Sequence, residues 1–191
     1  MSRRVAAALY PLFLKLDGRA VLVVGAGAVG ERKIAALVES GARVTVVAPE
    51  ATDEVRRLAA DGAIAWRARA FEEGDADGAW LVVAATPDPA VQRAVAAAAE
   101  ARRVFVVAVD DTANASAYGG SVVRRDPVVL AISSSGEAPA LTRLMRELVE
   151  ELLPSREWVE EAKRLRARWQ ADGTPVGERF AELVRRMKDR G

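Results

Sequence analysis

Three glycines have the spacing at which a chain binds the pyrophosphate of a dinucleotide. An apolar run, Val-Leu-Val-Val, leads into Gly25, Gly27 and Gly30 and then into a stretch that favours helix. The first glycine permits a tight turn, the second leaves room for phosphate, and the third lets the helix pack closely on the strand. Backbone N–H groups at Ala28 and Val29 would then face the anion at the positive end of the helix dipole. The spacing predicts a dinucleotide site, and a purely structural turn is the alternative.

An acidic residue follows the second predicted strand at the distance expected for a ribose contact. Glu50 comes 20 positions after Gly30 and directly after Pro49. A carboxylate there accepts hydrogen bonds from ribose hydroxyls, whereas a 2′-phosphate calls for an arginine. The nearest following arginine is Arg56, so the sequence favours NAD over NADP. The alternative is a solvated Glu50, with backbone atoms contacting the ribose.

Residue types that are absent limit the remaining chemistry. The chain has no histidine and no cysteine, which excludes an imidazole base, a thiolate nucleophile, disulfides and the common zinc sites. Neither Tyr10 nor Tyr118 has a lysine four positions later, so the Tyr-x-x-x-Lys arrangement of short-chain dehydrogenases is missing. Proton transfer must fall to Asp, Glu or Lys. We therefore expect a carboxylate base and no metal site.

The composition is that of a globular protein with little net charge. Apolar residues make up 51% of the 191 residues and charged residues 29%, with a formal net charge of +1. This balance allows a real core and gives no case for nucleic-acid binding. No apolar run approaches the roughly 18 residues of a membrane helix, and no signal-peptide pattern opens the chain. We expect a cytoplasmic protein with no membrane or nucleic-acid partner.

Short apolar runs alternate with helical patterns in the first part of the chain. Strands are predicted at 20–24, 43–47, 63–67, 79–85 and 104–109, and helices at 29–39, 53–60 and 88–101. This alternation predicts βαβ units and a Rossmann-type, doubly wound parallel sheet with its ligand at the carboxyl ends of the strands. Thr86 would border that crevice, and a helix cap is its alternative role.

The pattern changes after Asp110. Two strands at 121–123 and 127–133 indicate a different sheet, and three amphipathic helical stripes follow, the first ended by Pro154. We therefore expect an α/β fold in three parts. They are a Rossmann domain at 1–112, a small α+β unit at 113–153 and a helical carboxy-terminal unit at 154–191.

Several short segments recur in the order and spacing of one known family. They are Tyr-Pro-Leu-Phe-Leu at 10–14, the glycine motif with Glu-Arg-Lys at 25–33, Val-Ala-Pro-Glu at 47–50, Ala-Ala-Thr-Pro-Asp at 84–88, Val-Asp at 109–110 and Ser-Ser-Ser-Gly at 133–136. With these segments the chain resembles the precorrin-2 dehydrogenase family, which also forms the amino-terminal module of bifunctional sirohaem synthases. The resemblance covers residues 8–155 and is weak in the helical tail.

The resemblance implies an NAD-dependent oxidation of precorrin-2 to sirohydrochlorin and, in some members, insertion of ferrous iron to give sirohaem. It also implies a homodimer made through the 113–153 unit. The family's catalytic aspartate falls on Asp110. From the residues alone, a carboxylate that ends a strand beside the crevice and is partly withdrawn from water also suits a general base. Asp111 is its rival, and a turn capped by the two aspartates is the structural alternative.

The substrate side of the site matches the family less closely. Val107, Ala117, Gly120 and Ser135 stand where relatives commonly have Asn, Phe, Pro and Gly. A polycarboxylate tetrapyrrole needs cationic partners, with surface solvation as the alternative role. The candidates in the second unit are Arg124, Arg125, Arg143 and Arg146. Ser134 matches a position that is phosphorylated in one branch of the family. It is a candidate substrate contact, and its default role is that of a loop hydroxyl.

Two other functions fit parts of the pattern. One is an NAD-sensing regulatory domain, which shares the glycine turn and binds without turnover. The other is a different dehydrogenase that uses a carboxylate base. The Asp110 segment and the serine-rich turn discriminate, because a sensor needs neither.

Overall fold

Short β-branched runs and helices alternate along the first of two units, Met1–Gly119 and Gly120–Gly191. The structure is a computed structural model and describes residues 8–153 and 156–188. The elements of the first unit are β1 (Ala20–Ala26), α1 (Ala28–Glu39), β2 (Arg43–Ala51), α2 (Asp53–Ala60), β3 (Ala65–Arg67), a 3₁₀ turn (Glu73–Ala76), β4 (Leu81–Ala84), α3 (Pro89–Ala101) and β5 (Phe105–Ala108).

These strands form one parallel sheet in the order β3-β2-β1-β4-β5. The predicted Rossmann-type fold is confirmed. Residues alternate between the two faces, so that Val21 and Val23 pack on α1 and α2, whereas Leu22 and Val24 pack on α3. Because both faces are covered, the strands are nearly continuous in apolar character.

One strand is longer than the sequence suggested. β2 was predicted to end at Val47, but it continues to Ala51. Val24 pairs with Val47 and Ala26 with Ala51, so a single residue of β1 lies opposite three residues of β2. A bulge of this kind inserts unpaired residues without ending the strand. The bulge contains Pro49, which in sequence reads as the end of a strand.

The second unit contains an antiparallel pair, β6 (Ser121–Arg125) and β7 (Val128–Ile132), followed by α4 (Pro139–Leu152), α5 (Arg156–Ala171) and α6 (Val176–Lys188). Trp169 of α5 donates a hydrogen bond to Glu182 of α6, with 2.7 Å between Nε1 and Oε2. Pro154, expected to end α4, lies outside the described residues. The division into three domains stays a prediction. Within the described ranges, none of the helices combines the length and apolar character needed to cross a bilayer.

A charged cluster fixes the 3₁₀ turn beside β3. The carboxylate of Asp75 accepts bonds from Arg67 (2.6 Å), from both terminal nitrogens of Arg69 (2.5 and 2.8 Å) and from the backbone N–H of Glu72 (3.0 Å). Its side chain is only 2% exposed. The Arg69 guanidinium is the main cause that lowers the pKa of Asp75 from 3.8 to about 2.

The Asp75 cluster predicts a loss of stability in acid. A carboxyl group whose pKa is lowered on folding stabilises the protein above its unfolded pKa, and this stabilisation disappears as the pH falls from about 4 through about 2. The shift corresponds to about 2 kcal/mol. Urea unfolding of wild type and Asp75→Asn at about pH 7, above this window, and at about pH 2.5, inside it, should show a difference in the free energy of unfolding at the higher pH that shrinks at the lower one. An equal difference at both pH values would contradict this assignment.

Candidate active site

The glycine turn joins β1 to α1 and lies against the end of β4. Gly25 has φ +102°, and a Cβ added there would come within 2.4 Å of the Ala85 carbonyl oxygen. A Cβ at Gly30 would come within 2.3 Å of the Gly25 carbonyl oxygen. Both positions therefore exclude any side chain for reasons of packing. Gly27 differs, because a Cβ there would meet nothing within 4 Å.

The open side of Gly27 lies at the amino terminus of α1. Gly27 is the N-cap residue and has no side chain to cap the helix, and the first intrahelical bond runs from Glu31 N to Gly27 O at 2.9 Å. Helix geometry leaves the N–H groups of Ala28 and Val29 without intrahelical acceptors. Gly27 and Ala28 are exposed. The turn thus offers free donors and unfilled space to an anion such as a pyrophosphate.

The bulge of β2 presents Pro49 and Glu50 at the same end of the sheet. Both residues are exposed, and the bulge lies opposite Gly25 of β1. The indole Nε1 of Trp66 donates to the Ala48 carbonyl at 3.1 Å and anchors the bulge to β3. Glu50 therefore stands beside the glycine turn, where a ribose of a bound dinucleotide would be recognised.

Arg56 lies closer to this end of β2 than its distance in sequence suggested. Its Nε donates to the Ala51 carbonyl at 3.0 Å, and its guanidinium carbon is 5.5 Å from the centroid of the Trp66 ring. Arg56 is thus held at the strand end by a carbonyl and an aromatic face. An arginine at this place bears directly on the choice between NAD and NADP.

Thr86 follows β4 and accepts a hydrogen bond from Asp88 N–H at 3.2 Å. The N-cap of α3 is Asp88, which accepts bonds from Ala90 N–H and Val91 N–H. Thr86 is therefore not the cap of α3 but part of the turn before it. Its backbone lies next to Ala85, which contacts the glycine turn.

The two candidate aspartates follow β5 and differ in their surroundings. Asp110 has φ +56°, is exposed and accepts no hydrogen bond from the described residues. The partial burial that we expected for it is absent within this unit. Asp111 accepts bonds from the backbone and side-chain amide of Asn114, at 3.2 and 2.5 Å. The hydrogen bond from the Asn114 side chain is the main cause that lowers the pKa of Asp111. Asp111 is therefore a weaker base than an ordinary aspartate, and its bonds suit the turn-capping role.

The structure also reveals a buried polar residue that the sequence analysis passed over. Gln92, on α3, is 7% exposed. Its Nε2 donates to the carbonyls of Thr86 (2.9 Å) and Val109 (3.0 Å). In sequence it reads as one polar interruption of an alanine-rich helix, and only the sheet brings its two partners together.

The predicted substrate contacts belong to the second unit. Arg143 pairs with Glu147 and Arg146 with Glu150 along α4, at 3.1 and 2.7 Å, so both cations already have acidic partners. Arg124 of β6 is exposed. Ser134 Oγ accepts the Ala138 N–H at 3.0 Å, which is a structural loop role.

Gly120 packs tightly against the end of β7. A Cβ at Gly120 would come within 2.6 Å of the Ile132 carbonyl oxygen, so this position excludes a side chain.

In the part of the chain that the structure describes, no group of three acidic side chains is placed to hold a metal ion.

The fold and the glycine turn together define a nucleotide-binding protein of the Rossmann class. Over residues 12–121 the sequence matches the model of a family described as "Putative NAD(P)-binding". This match covers more than half of the chain, so the chain belongs to that NAD(P)-binding family. A nicotinamide dinucleotide is the cofactor class that the site fits, with open space at Gly27 and free donors on α1.

Curated relatives include siroheme synthase 3 of Aeromonas hydrophila subsp. hydrophila, 46% identical over 144 residues, and siroheme synthase 1 of Cronobacter sakazakii, 48% identical over 145 residues. These alignments cover 75% and 76% of this chain and 31% of each relative, so the chain spans about a third of the relatives' length. A solved structure described as "SirC, precorrin-2 dehydrogenase" has a TM-score of 0.75 at 24% identity and covers 93% of this chain and 88% of that one. The sequence identities confirm the resemblance to sirohaem synthases, and the structural match confirms the fold.

The contrast between Gly27 and Gly25 predicts how alanine acts at each. Gly27→Ala should fold like wild type, because its Cβ meets no protein atom, but should weaken NAD binding at least about tenfold by filling the phosphate space. Gly25→Ala should instead lower the unfolding temperature. Calorimetric titration with NAD and with NADP, together with thermal unfolding, measures both effects.

Gly177→Ala is the matched control, since Gly177 also has open space and lies on α6 in the other unit. It should leave cofactor binding unchanged. Binding of NAD to Gly27→Ala with the wild-type dissociation constant would argue against a pyrophosphate at this turn.

Proposed function

We propose that this chain is a dehydrogenase that oxidises precorrin-2 to sirohydrochlorin with NAD, as part of sirohaem synthesis. The sequence identities with siroheme synthases support the substrate. The observation that carries the reaction is Asp110, an exposed carboxylate in left-handed backbone conformation at the end of β5. β5 belongs to the same parallel sheet as β1, so Asp110 and the glycine turn follow strand ends at one edge.

The proposed cofactor is NAD rather than NADP. Glu50 stands exposed on the β2 bulge, where a carboxylate would accept hydrogen bonds from ribose and repel a 2′-phosphate. Arg56 is the argument for NADP, but its Nε donates to the Ala51 carbonyl and its guanidinium carbon lies 5.5 Å from the centroid of the Trp66 ring, which hold it at the strand end. Tighter binding of NADP than of NAD in the titrations above would overturn this assignment. We also propose a cytoplasmic location, where the reaction can draw on the cell's pool of NAD.

The chain's own residues have three tasks in this reaction. The N–H groups of Ala28 and Val29 and the space at Gly27 hold the pyrophosphate. Bound NAD supplies a hydride acceptor. Asp110 takes the proton that leaves the macrocycle as its conjugation extends, so two electrons and one proton leave as hydride and a second proton passes to the carboxylate.

The tetrapyrrole carboxylates require cations, for which we propose Arg124, Arg143 and Arg146 of the second unit, with Ser134 as a further polar contact. Arg124 is exposed on β6. The pairs that Arg143 and Arg146 make with glutamates are exposed or half-buried ion pairs, which contribute little to stability and exchange readily for another carboxylate.

The test is turnover of enzymatically prepared precorrin-2 with NAD, followed by NADH formation and sirohydrochlorin absorbance. Asp110→Asn should lower kcat about 100-fold and leave the NAD dissociation constant unchanged, because the amide cannot accept the proton. Asp111→Asn is the matched control and should lose stability rather than kcat, since it replaces one of the two carboxylate oxygens that accept the Asn114 bonds with an NH₂ group.

The other readings give different outcomes in the same assay. A wild-type protein that binds NAD and leaves precorrin-2 unchanged would be a sensor or a dehydrogenase of another substrate. Full turnover by Asp110→Asn would remove Asp110 from the mechanism.

Iron insertion is tested in a second step of the same assay. Ferrous iron is added as a substrate after sirohydrochlorin has formed, and its insertion is followed by the appearance of sirohaem. In this step Asp110 is the proposed acceptor of the pyrrole protons.

We further propose a homodimer formed through the second unit. One face of α4 exposes apolar side chains at helical spacing, namely Leu141, Leu144, Met145, Leu148 and Leu152. Exposed apolar faces of this kind mark protein interfaces. The second unit is also the part that the family resemblance assigns to dimerisation.

The α4 face predicts the effect of a single charge on assembly. In sedimentation equilibrium wild type should have the mass of a dimer, and Leu148→Glu the mass of a monomer, because the charge would be buried at the interface. Val176→Glu is the control, since Val176 is also an exposed apolar residue but lies on α6, outside this face. A monomeric wild type, or a dimeric Leu148→Glu, would contradict the proposal.

A further inference from the structure

Gln92 occupies a core position of α3 and ties two strand ends together. It shares the buried face of the helix with Val95 and Ala99, three and seven positions later. Its Nε2 bridges the carbonyls of Thr86, which follows β4, and Val109, which follows β5. One amide group therefore spans the ends of two neighbouring strands at the cofactor edge of the sheet.

The orientation of this amide is fixed by its partners. Both are carbonyl oxygens, so the NH₂ group must face them, and a flipped amide would place oxygen against oxygen. Oε1 is buried and accepts no hydrogen bond from the described residues. A buried polar atom without a partner is costly, and an apolar residue would suit this helix face better. The glutamine is therefore explained by the two carbonyls to which its NH₂ group donates.

One of these carbonyls belongs to the peptide group that precedes Asp110. The Val109 N–H donates to the Ala84 carbonyl at 2.9 Å, and the Val109 carbonyl accepts from Gln92, so both sides of this segment are bonded. Asp110 then takes φ +56°, a conformation that is unfavourable for a residue with a Cβ. Asp110 makes no side-chain hydrogen bond of its own within the described residues. The position of its carboxylate thus depends on the backbone that Gln92 fixes.

We propose that Gln92 is a positioning residue of the active site, whose amide holds the turn that carries the Asp110 carboxylate. It does not touch substrate. The catalytic consequence of this inference rests on the proposed function. The restraint of the Asp110 turn does not, and it can be tested without measuring any activity.

Gln92→Met tests the restraint directly, because methionine has similar length and no donor. In hydrogen exchange followed by mass spectrometry, the peptide over residues 109–114 should exchange at least about tenfold faster in this variant. Gln170→Met is the matched control, the same change at an exposed position of α5, and should exchange like wild type. Unchanged exchange in Gln92→Met would overturn the proposal whether or not the protein oxidises precorrin-2.

Turnover tests the catalytic consequence. Gln92→Met should lower kcat at least about 20-fold and change the NAD dissociation constant less than about threefold, since the glycine turn is untouched. In an Asp110→Asn background the same change should lower kcat less than about twofold, because there is no carboxylate left to position. Equal effects in both backgrounds would assign Gln92 a structural role only. No turnover by wild type would refute the proposed function, and the exchange result would still decide on the restraint.

A second variant covers the case in which Gln92→Met does not fold. Gln92→Asn keeps the amide but is one methylene shorter, so it draws the NH₂ group back from both carbonyls. It should show the same faster exchange and lower kcat to a smaller extent. Wild-type exchange in Gln92→Asn would likewise overturn the proposal.

Discussion

The site depends on a contact between two backbone segments in which no side chain fits. At Gly25 the β1–α1 turn lies so close to Ala85 that a Cβ would be 2.4 Å from a carbonyl oxygen, and Gly30 closes on Gly25 in the same way. This contact sets where α1 begins and brings its amino terminus to the end of β4. The other candidate site residues of the first unit lie on or follow strands that are paired in register with β1 or β4. A side chain at either glycine would therefore disturb the whole edge.

The regular elements were predictable because their signals are local. α2 occupies Asp53–Ala60 as predicted, with Thr52 as cap and Gly62 after its end. The end of β2 was not predictable, since Pro49 reads as a terminator although it lies in a bulge within the strand. The proximity of Arg56 to the end of β2 was not predictable either, because the strand extends to Ala51 and the helix that follows brings Arg56 back to its carbonyl.

The candidate site shows the same limit. The absence of histidine leaves Asp, Glu or Lys as the base, and the family resemblance, together with a place at a strand end, points to Asp110 with Asp111 as its rival. The sequence does not separate them, because the difference lies in hydrogen bonds from Asn114 that only the folded turn creates. Gln92 could not be recognised at all, since its partners are carbonyls that any residue would supply.

Backbone strain gives an independent reason to single out Asp110. Within residues 8–153 and 156–188, positive φ occurs at three residues other than glycine, Arg103, Asp110 and Ser135. Arg103 follows the end of α3, and its backbone N–H donates to the Glu100 carbonyl at 2.9 Å. A residue with positive φ at this place is a common way for a helix to end. Asp110 follows a strand, and its side chain gains no local hydrogen bond that would offset the strain. The backbone of this turn is held by Gln92 and Ala84, whereas the Asp110 carboxylate is exposed and has no hydrogen-bond partner among the described residues. This combination is what the proposed base requires, because a fixed backbone positions a carboxylate that stays free to contact a substrate.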